Sequence, residues 1–84
     1  MTNAEFVGKA KALVRDYTNE NLVEKNAVIG TEDVFVVWDC YILGNIKALL
    51  ATSLRDGMFY EVTYNKQKDE IYLDAYRKIE NRKY

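Results

Sequence analysis

A chain of 84 residues makes one domain, and at this size it buries only about 60 to 65% of the surface its unfolded form exposes, so its stability is modest. About half the residues are apolar and 30% are charged, the balance of a folded domain rather than a disordered tail. A net charge of −1 argues against a strongly basic phosphate-binding surface and against an acidic nucleic-acid mimic. The absence of histidine removes the commonest general base and metal ligand.

The chain opens on a capping box: Thr2 stands three residues before Glu5, a spacing at which each side chain satisfies a free backbone N–H of a helix start. Phe6, Ala10, Leu13, Val14 and Tyr17 then recur at spacings of three and four, which predicts a helix over about 3–18 with one apolar stripe for a core. Gly8 within it costs about 1 kcal/mol against alanine. Glu5, Lys9 and Lys11 break the apolarity of the N-terminal stretch, which is no signal peptide, and no run approaches the roughly 18 apolar residues of a membrane helix. The protein is therefore expected in the cytoplasm, with no membrane partner.

Residues 19–32 mix asparagine and glycine with Leu22, Val23, Val28 and Ile29 and are expected to form a connection, with at most a helical turn near 20–25. The adjacent carboxylates Glu32 and Asp33 are expected to be solvated and to hold no metal. A β-meander is predicted over 33–77. Its first strand runs from Val34 to Leu43, Gly44-Asn45 makes a tight turn, and Ile46 to Leu54 forms the second strand. Asp56-Gly57 makes the next turn, Met58 to Tyr64 the third strand, and Asn65 to Asp69 a polar turn. Ile71, Leu73 and Ala75 alternate with Tyr72, Asp74 and Tyr76, which favours a fourth strand to about Arg77, although Ile71, Ala75 and Ile79 also fit a helix. Residues 78–84 read as a charged tail, frayed or a short helix. The expected fold is α+β: one domain, 1–84, with an N-terminal helix packed on a three- to four-stranded antiparallel meander.

Two-residue turns fix the strand registers. One face then carries Val34, Val36, Trp38, Cys40 and Ile42 beside Leu49, Ala51 and Ser53, and these beside Tyr60, Val62 and Tyr64; this face is the expected core. The other carries Phe35, Val37, Tyr41 and Leu43 beside Ile46, Ala48, Leu50 and Leu54, then Phe59, with only Asp39, Thr52, Glu61 and Thr63 polar. A one-sided antiparallel sheet alternates apolar and polar residues, and this one does not. One helix covers one face. The second face predicts a protein contact through Phe35, Val37, Tyr41, Leu43, Ile46, Leu50 and Phe59: a homo-oligomer, with a dimer favoured, or a host protein.

Catalysis finds little support. Cys40 lacks a histidine to activate it and is expected to be a small buried apolar group. Of the carboxylates Asp39, Glu61 and Asp74, the first and second share a face in this register, but no cleft forms to raise a pKa. No enzyme, cofactor or metal site is expected. Single-stranded nucleic acid is the rival partner, stacking on Tyr41, Phe59, Tyr72 and Tyr76 with Lys47 and Arg55 alongside, but the cations are sparse and Glu61 opposes phosphate. A third reading, sequestration of a small ligand between subunits, needs a pocket.

The chain carries in order the blocks DVFVVWDCYILGNIKALLATS, DGMFYEVTYN and EIYLDAYRKIEN. In these it resembles a family of small proteins of unknown function from phages and prophages of Gram-positive bacteria, whose members look like VxVVWxC, LxNxKALLxT, DGxYYEVTYN and YLDAYKK in the same order. The likeness runs from the helix almost to the C-terminus and is most specific at DG-x-(F/Y)-YEVTYN. Tyr41-Ile42 and Gly44 depart from it, standing where relatives carry more polar residues. The resemblance implies a phage accessory protein acting inside a bacterial host, and it carries over no functional residues.

Overall fold

The capping box forms as the spacing requires. In the computed structural model, which describes residues 1–21 and 28–84, the Glu5 N–H donates to Thr2 Oγ1 at 3.1 Å and the Thr2 N–H donates to Glu5 Oε1 at 3.3 Å. The backbone N–H of Thr2, and then its side chain, hold the Glu5 carboxyl below its ordinary value. Helix α1 follows over Asn3–Glu20 and buries Phe6, Ala10, Val14 and Thr18, a stripe spaced by four. Leu13 lies at the margin of that stripe, while Tyr17 packs edge-on against Tyr60 with ring centroids 5.7 Å apart.

Helix α1 runs two residues beyond its expected end because side chains hold its last turn. Asn21 caps it, donating from Nδ2 to the Tyr17 carbonyl at 2.7 Å. Asn19 reaches sideways, donating to the Ile29 carbonyl at 3.0 Å and accepting from the Ile29 N–H at 2.9 Å. This bidentate amide anchors Ile29 in the core next to the helix. The segment that could have wrapped the second sheet face therefore packs, where it is described, on the helix side. The turn expected near 20–25 lies mostly outside the described residues. A short 3-10 turn, Thr31–Asp33, leads into the sheet, with Asp33 Oδ2 accepting the Gly30 N–H at 3.0 Å.

The sheet comprises β1 (Val34–Ile42), β2 (Asn45–Thr52), β3 (Met58–Asn65) and β4 (Glu70–Arg77), antiparallel and in chain order. The fold is thus α+β, one helix on a four-stranded antiparallel sheet. Alternation wins over helical spacing in β4, and residues 78–84 form no helix. Helix α1 packs across β1, β2 and β3, over a core of Phe6, Ala10, Val14, Ile46, Leu50, Tyr60 and their neighbours.

Two details of β1 and β2 differ from the expected register, and one of them corrects the faces. The first turn is Leu43-Gly44, not Gly44-Asn45: φ is 53° at Leu43 and 84° at Gly44, and Ile42 pairs with Asn45. Two positive φ values are the signature of a type I′ hairpin, with glycine at the second position. Asn45 is thereby a strand residue whose Oδ1 accepts the Lys66 N–H at 3.0 Å. Moving a two-residue turn by one position moves the pairing by two, so even-numbered β1 residues still oppose odd-numbered β2 residues and the turn by itself changes no face. The faces change at a bulge between Val36 and Trp38, which inverts the rest of β1 and, through the turn, β2, so Ile46, Ala48 and Leu50 enter the core and Leu49 and Ala51 leave it. Val34 and Val36 face the helix as expected, but Trp38, Cys40 and Ile42 turn to the far side, and Asp39 and Tyr41 take their place.

The second connection differs as well. Asp56-Gly57 closes a five-residue loop, Ser53–Gly57, rather than a two-residue turn; its first residue still donates its N–H to the Asp33 carbonyl at 2.9 Å. Asp56 Oδ1 accepts the Met58 N–H at 3.0 Å, and Gly57 takes φ 71°. At the third turn the Tyr64 hydroxyl donates to Asp69 Oδ1 at 2.8 Å, and this bond, followed by burial, raises the Tyr64 phenol above its ordinary pKa.

Leu49 and Leu50 are neighbours in sequence on opposite sides of this sheet. Leu50→Ala should cost about 2–5 kcal/mol in denaturant unfolding, whereas Leu49→Ala should cost well under half of that; equal losses would contradict the register. Thr2→Ala should cost about 1 kcal/mol at neutral pH. Because folding depresses the Glu5 pKa, the stabilisation Glu5 draws from the box is present above the ordinary glutamate value and is lost as pH falls through the depressed one. Melts of Glu5→Gln and the wild type should therefore converge in acid, whereas the Thr2→Ala deficit persists there, because the Oγ1 acceptor it removes serves the uncharged Glu5 N–H.

Candidate functional site

The sheet face opposite the helix is left uncovered by the described residues. Its side chains lie in rows set by the strand register. Phe35 stands beside Ala51, and Phe59 beside Tyr76. The next row runs Trp38, Leu49, Glu61, Asp74, and the one after it Cys40, Lys47, Thr63, Tyr72. Ile42 and Asn45 end the β1–β2 side. The face therefore divides lengthwise, apolar along β1 and β2 and polar with tyrosines along β3 and β4.

Exposure follows the same division. Phe35 is 49% exposed, Val37 at the bulge 52%, Trp38 43% and Ile42 61%. This strand thus holds several large apolar side chains in solvent, outside the buried core. A concavity of about 560 Å³ opens beside it near the first turn, lined by Trp38, Cys40, Ile42, Lys47, Thr63 and Asn65 among others.

On the polar half, Lys47 Nζ lies 3.4 Å from Glu61 Oε1, while Asp74 stands directly across from Glu61. Carboxylates placed opposite each other repel. One cation serves two anions here, so this half carries excess negative charge that a partner's cation would relieve.

Of the seven interface residues expected from the sequence, Phe35 and Phe59 lie on this face, Val37 projects at the bulge, and Leu43 sits at the turn, almost fully exposed. Ile46 and Leu50 do not belong to it: both are fully buried beneath the helix, because the bulge after Val36 inverts the second half of β1 and with it β2. Tyr41 lies on the helix side of the sheet after the bulge and is 59% exposed. The nucleic-acid set is divided likewise. Phe59, Tyr72, Tyr76 and Lys47 share the open face, Arg55 lies in the β2–β3 loop, and Tyr41 is on the opposite side.

Sequence reasoning missed Trp38, Cys40, Ile42 and Leu49, having assigned all four to the core face. Glycine at the second position of a type I′ turn was an available signal for where the turn falls, but a turn at either place opposes the same faces of β1 and β2. The faces hang on the bulge, and nothing in the sequence marks it. Cys40 is exposed and not a buried apolar group. Asp39 and Glu61 lie on opposite faces, so they form no carboxylate pair, and Asp33 is engaged by the Gly30 N–H. Among the described residues no three His, Cys, Asp or Glu side chains gather to hold a metal ion, and no helix is long and apolar enough to cross a membrane.

The chain belongs to DUF6275, a family of unknown function whose model matches residues 7–84. No curated protein and no solved structure matches it.

The geometry of β1 makes Cys40 a reporter. In the native protein its thiol should react with a chromogenic disulfide reagent at close to the rate of the urea-unfolded chain; strong native protection would return Cys40 to the core and overturn the bulged register.

Proposed function

We propose that this protein acts without catalysis, by binding another protein through the open face of its sheet. The observation that carries the reading is the cluster of Phe35, Val37, Trp38 and Ile42, exposed along one strand on the side away from a core that is already complete. The concavity beside Trp38 can seat an apolar or aromatic anchor, the kind of contact that dominates interface energies. Glu61 and Asp74, sharing only Lys47, call for a cation next to that anchor. The expected partner surface is therefore apolar with lysine or arginine beside it.

Face-to-face pairing with a second copy fits less well. Two-fold stacking of this face sets the Glu61–Asp74 carboxylates against the same pair or against Trp38 and Phe35 of the other subunit, and burying charge without a counter-charge is expensive. Four strands about 4.8 Å apart and eight residues long give roughly 500 Å². With a matching partner this reaches about 1,000 Å² in total, the lower bound for a specific interface, so affinity has to come from a few good anchors.

The acidic half also weakens the nucleic-acid reading. Tyr72 has Glu70 and Asp74 on its own strand face, and Lys47 is held by Glu61. The resemblance to phage and prophage proteins of Gram-positive bacteria supplies the setting: a phage accessory protein in the host cytoplasm, with a host protein as target.

The test is selection of random displayed peptides on the intact protein. Selected sequences should pair an aromatic or leucine with lysine or arginine, and Trp38→Ala should weaken their binding by about tenfold or more while circular dichroism stays unchanged. Asp74→Lys should discriminate against the basic members. Binding by Trp38→Ala equal to that of the wild type removes the reading, and tight, steeply salt-dependent binding of oligothymidylate in place of peptides establishes the nucleic-acid one.

A further inference from the structure

We propose that a second copy of this chain pairs with the outer edge of β4, joining two four-stranded sheets into one continuous eight-stranded sheet around a two-fold axis at Leu73. This goes beyond the reading of the open face and does not depend on it.

The sheet has two edges, and they are built differently. β1 is broken by the bulge after Val36, a device that spoils an edge for pairing. β4 pairs with β3 in unbroken register from Glu70 to Arg77 and contains no glycine or proline. A long, regular, uncovered edge is a template for another strand.

The direction of its main-chain groups follows from one bond. The Lys78 N–H donates to the Gly57 carbonyl at 2.7 Å, which directs Lys78, and by alternation Tyr76, Asp74 and Tyr72, toward β3. Ile71, Leu73, Ala75 and Arg77 therefore direct their N–H and C=O groups outward, and among the described residues no main-chain or side-chain group meets them. Their side chains stand on the helix side. Helix α1 reaches across β1 to β3, which leaves Ile71 and Leu73 half-buried and Ala75 exposed.

Charge selects both the partner and the register. β4 begins with Asp69 and Glu70 and ends with Arg77 and Lys78, so an antiparallel copy sets acidic end against basic end. A two-fold axis at Asp74 puts two like carboxylates directly opposite each other, and an axis at Tyr72 puts Glu70 opposite the partner's Asp74; both are unfavourable. An axis at Leu73 avoids both direct oppositions and leaves Asp74 only diagonal to the partner's Asp74, at the longer separation. It sets Leu73 against the partner's Leu73, Ile71 against the partner's Ala75, and Tyr72 against the partner's Asp74. Asp69 then meets the partner's Arg77, and Glu70 has the partner's Lys78 as its diagonal neighbour. About six main-chain hydrogen bonds close between Ile71, Leu73 and Ala75 of the two subunits.

Light scattering and sedimentation of the full chain across a concentration series should show a reversible monomer–dimer equilibrium. Ala75→Pro removes an outward N–H that the β3–β4 ladder does not use, and should give a monomer with native circular dichroism. Lys78→Glu keeps its backbone and should raise the dimer dissociation constant about fivefold, and adding Glu70→Lys should restore it. A wild-type chain that stays monomeric at high micromolar concentration, an Ala75→Pro variant that is folded and still dimeric, or a charge swap that fails to rescue, overturns the proposal. Should Ala75→Pro not fold, the swap decides alone. A peptide selected on the open face should still bind the Ala75→Pro monomer, so loss of the dimer and loss of the open-face reading are separate outcomes.

Discussion

The bulge between Val36 and Trp38 governs most of what this protein presents to its surroundings. Because strand side chains alternate with a period of two, a β1 without that extra residue would put Trp38, Cys40 and Ile42, and through the two-residue turn Leu49 and Ala51, under the helix and leave Ile46, Ala48 and Leu50 in water. The hairpin is held from several directions. Gly44 takes the positive φ that a type I′ turn requires, and a Cβ there would also run into the Lys66 side chain. Asn45 ties the start of β2 to the third turn through Lys66, and the buried row Ile46, Ala48, Leu50 locks the result against α1. A substitution loosening the turn would disturb the core and the open face together.

The elements themselves were legible in the sequence, and the faces only partly so. The capping box at Thr2 and Glu5, the stripe of Phe6, Ala10 and Val14, and the four strands all follow from local patterns, because each reports a local preference of the backbone. Face membership is a different kind of quantity: it depends on counting residues across turns, and each error inverts everything after it. The bulge after Val36 exchanged the faces of the second half of β1 and, through the turn, those of β2. The five-residue loop before β3 inverted the count a second time, so Tyr60, Val62 and Tyr64 are buried as expected. The conclusion that both sides of the sheet are rich in apolar residues survived these exchanges, since it rests on the composition of the strands and not on their register. What changed is which residues make up the open side.

That side also carries the means by which it stays in water. Lys47, Glu61, Thr63 and Asp74 interrupt the apolar surface from β2 outward, and the Lys47–Glu61 pair, largely open to solvent, contributes little to stability. Its effect is on specificity. A purely apolar face accepts any apolar surface, including its own; one edged with unbalanced carboxylates disfavours itself and admits a partner that brings cations.

The same reasoning separates the two edges of the sheet. A bulged β1 places its aromatic residues where they are reached from the open face but not by a strand adding alongside, whereas β4 offers main-chain groups in a regular row with opposite charges at its two ends. Face and edge thus use different recognition chemistry, side-chain anchoring on the one and backbone pairing on the other, and neither competes for the atoms of the other. If two chains join along β4, their apolar β1 strands fall at the far ends of the joined sheet, with two acidic stripes between them. Such a dimer presents two identical sites facing the same side, and a target with repeated surfaces would be held by both at once, with a gain in avidity that needs no new contact within either site.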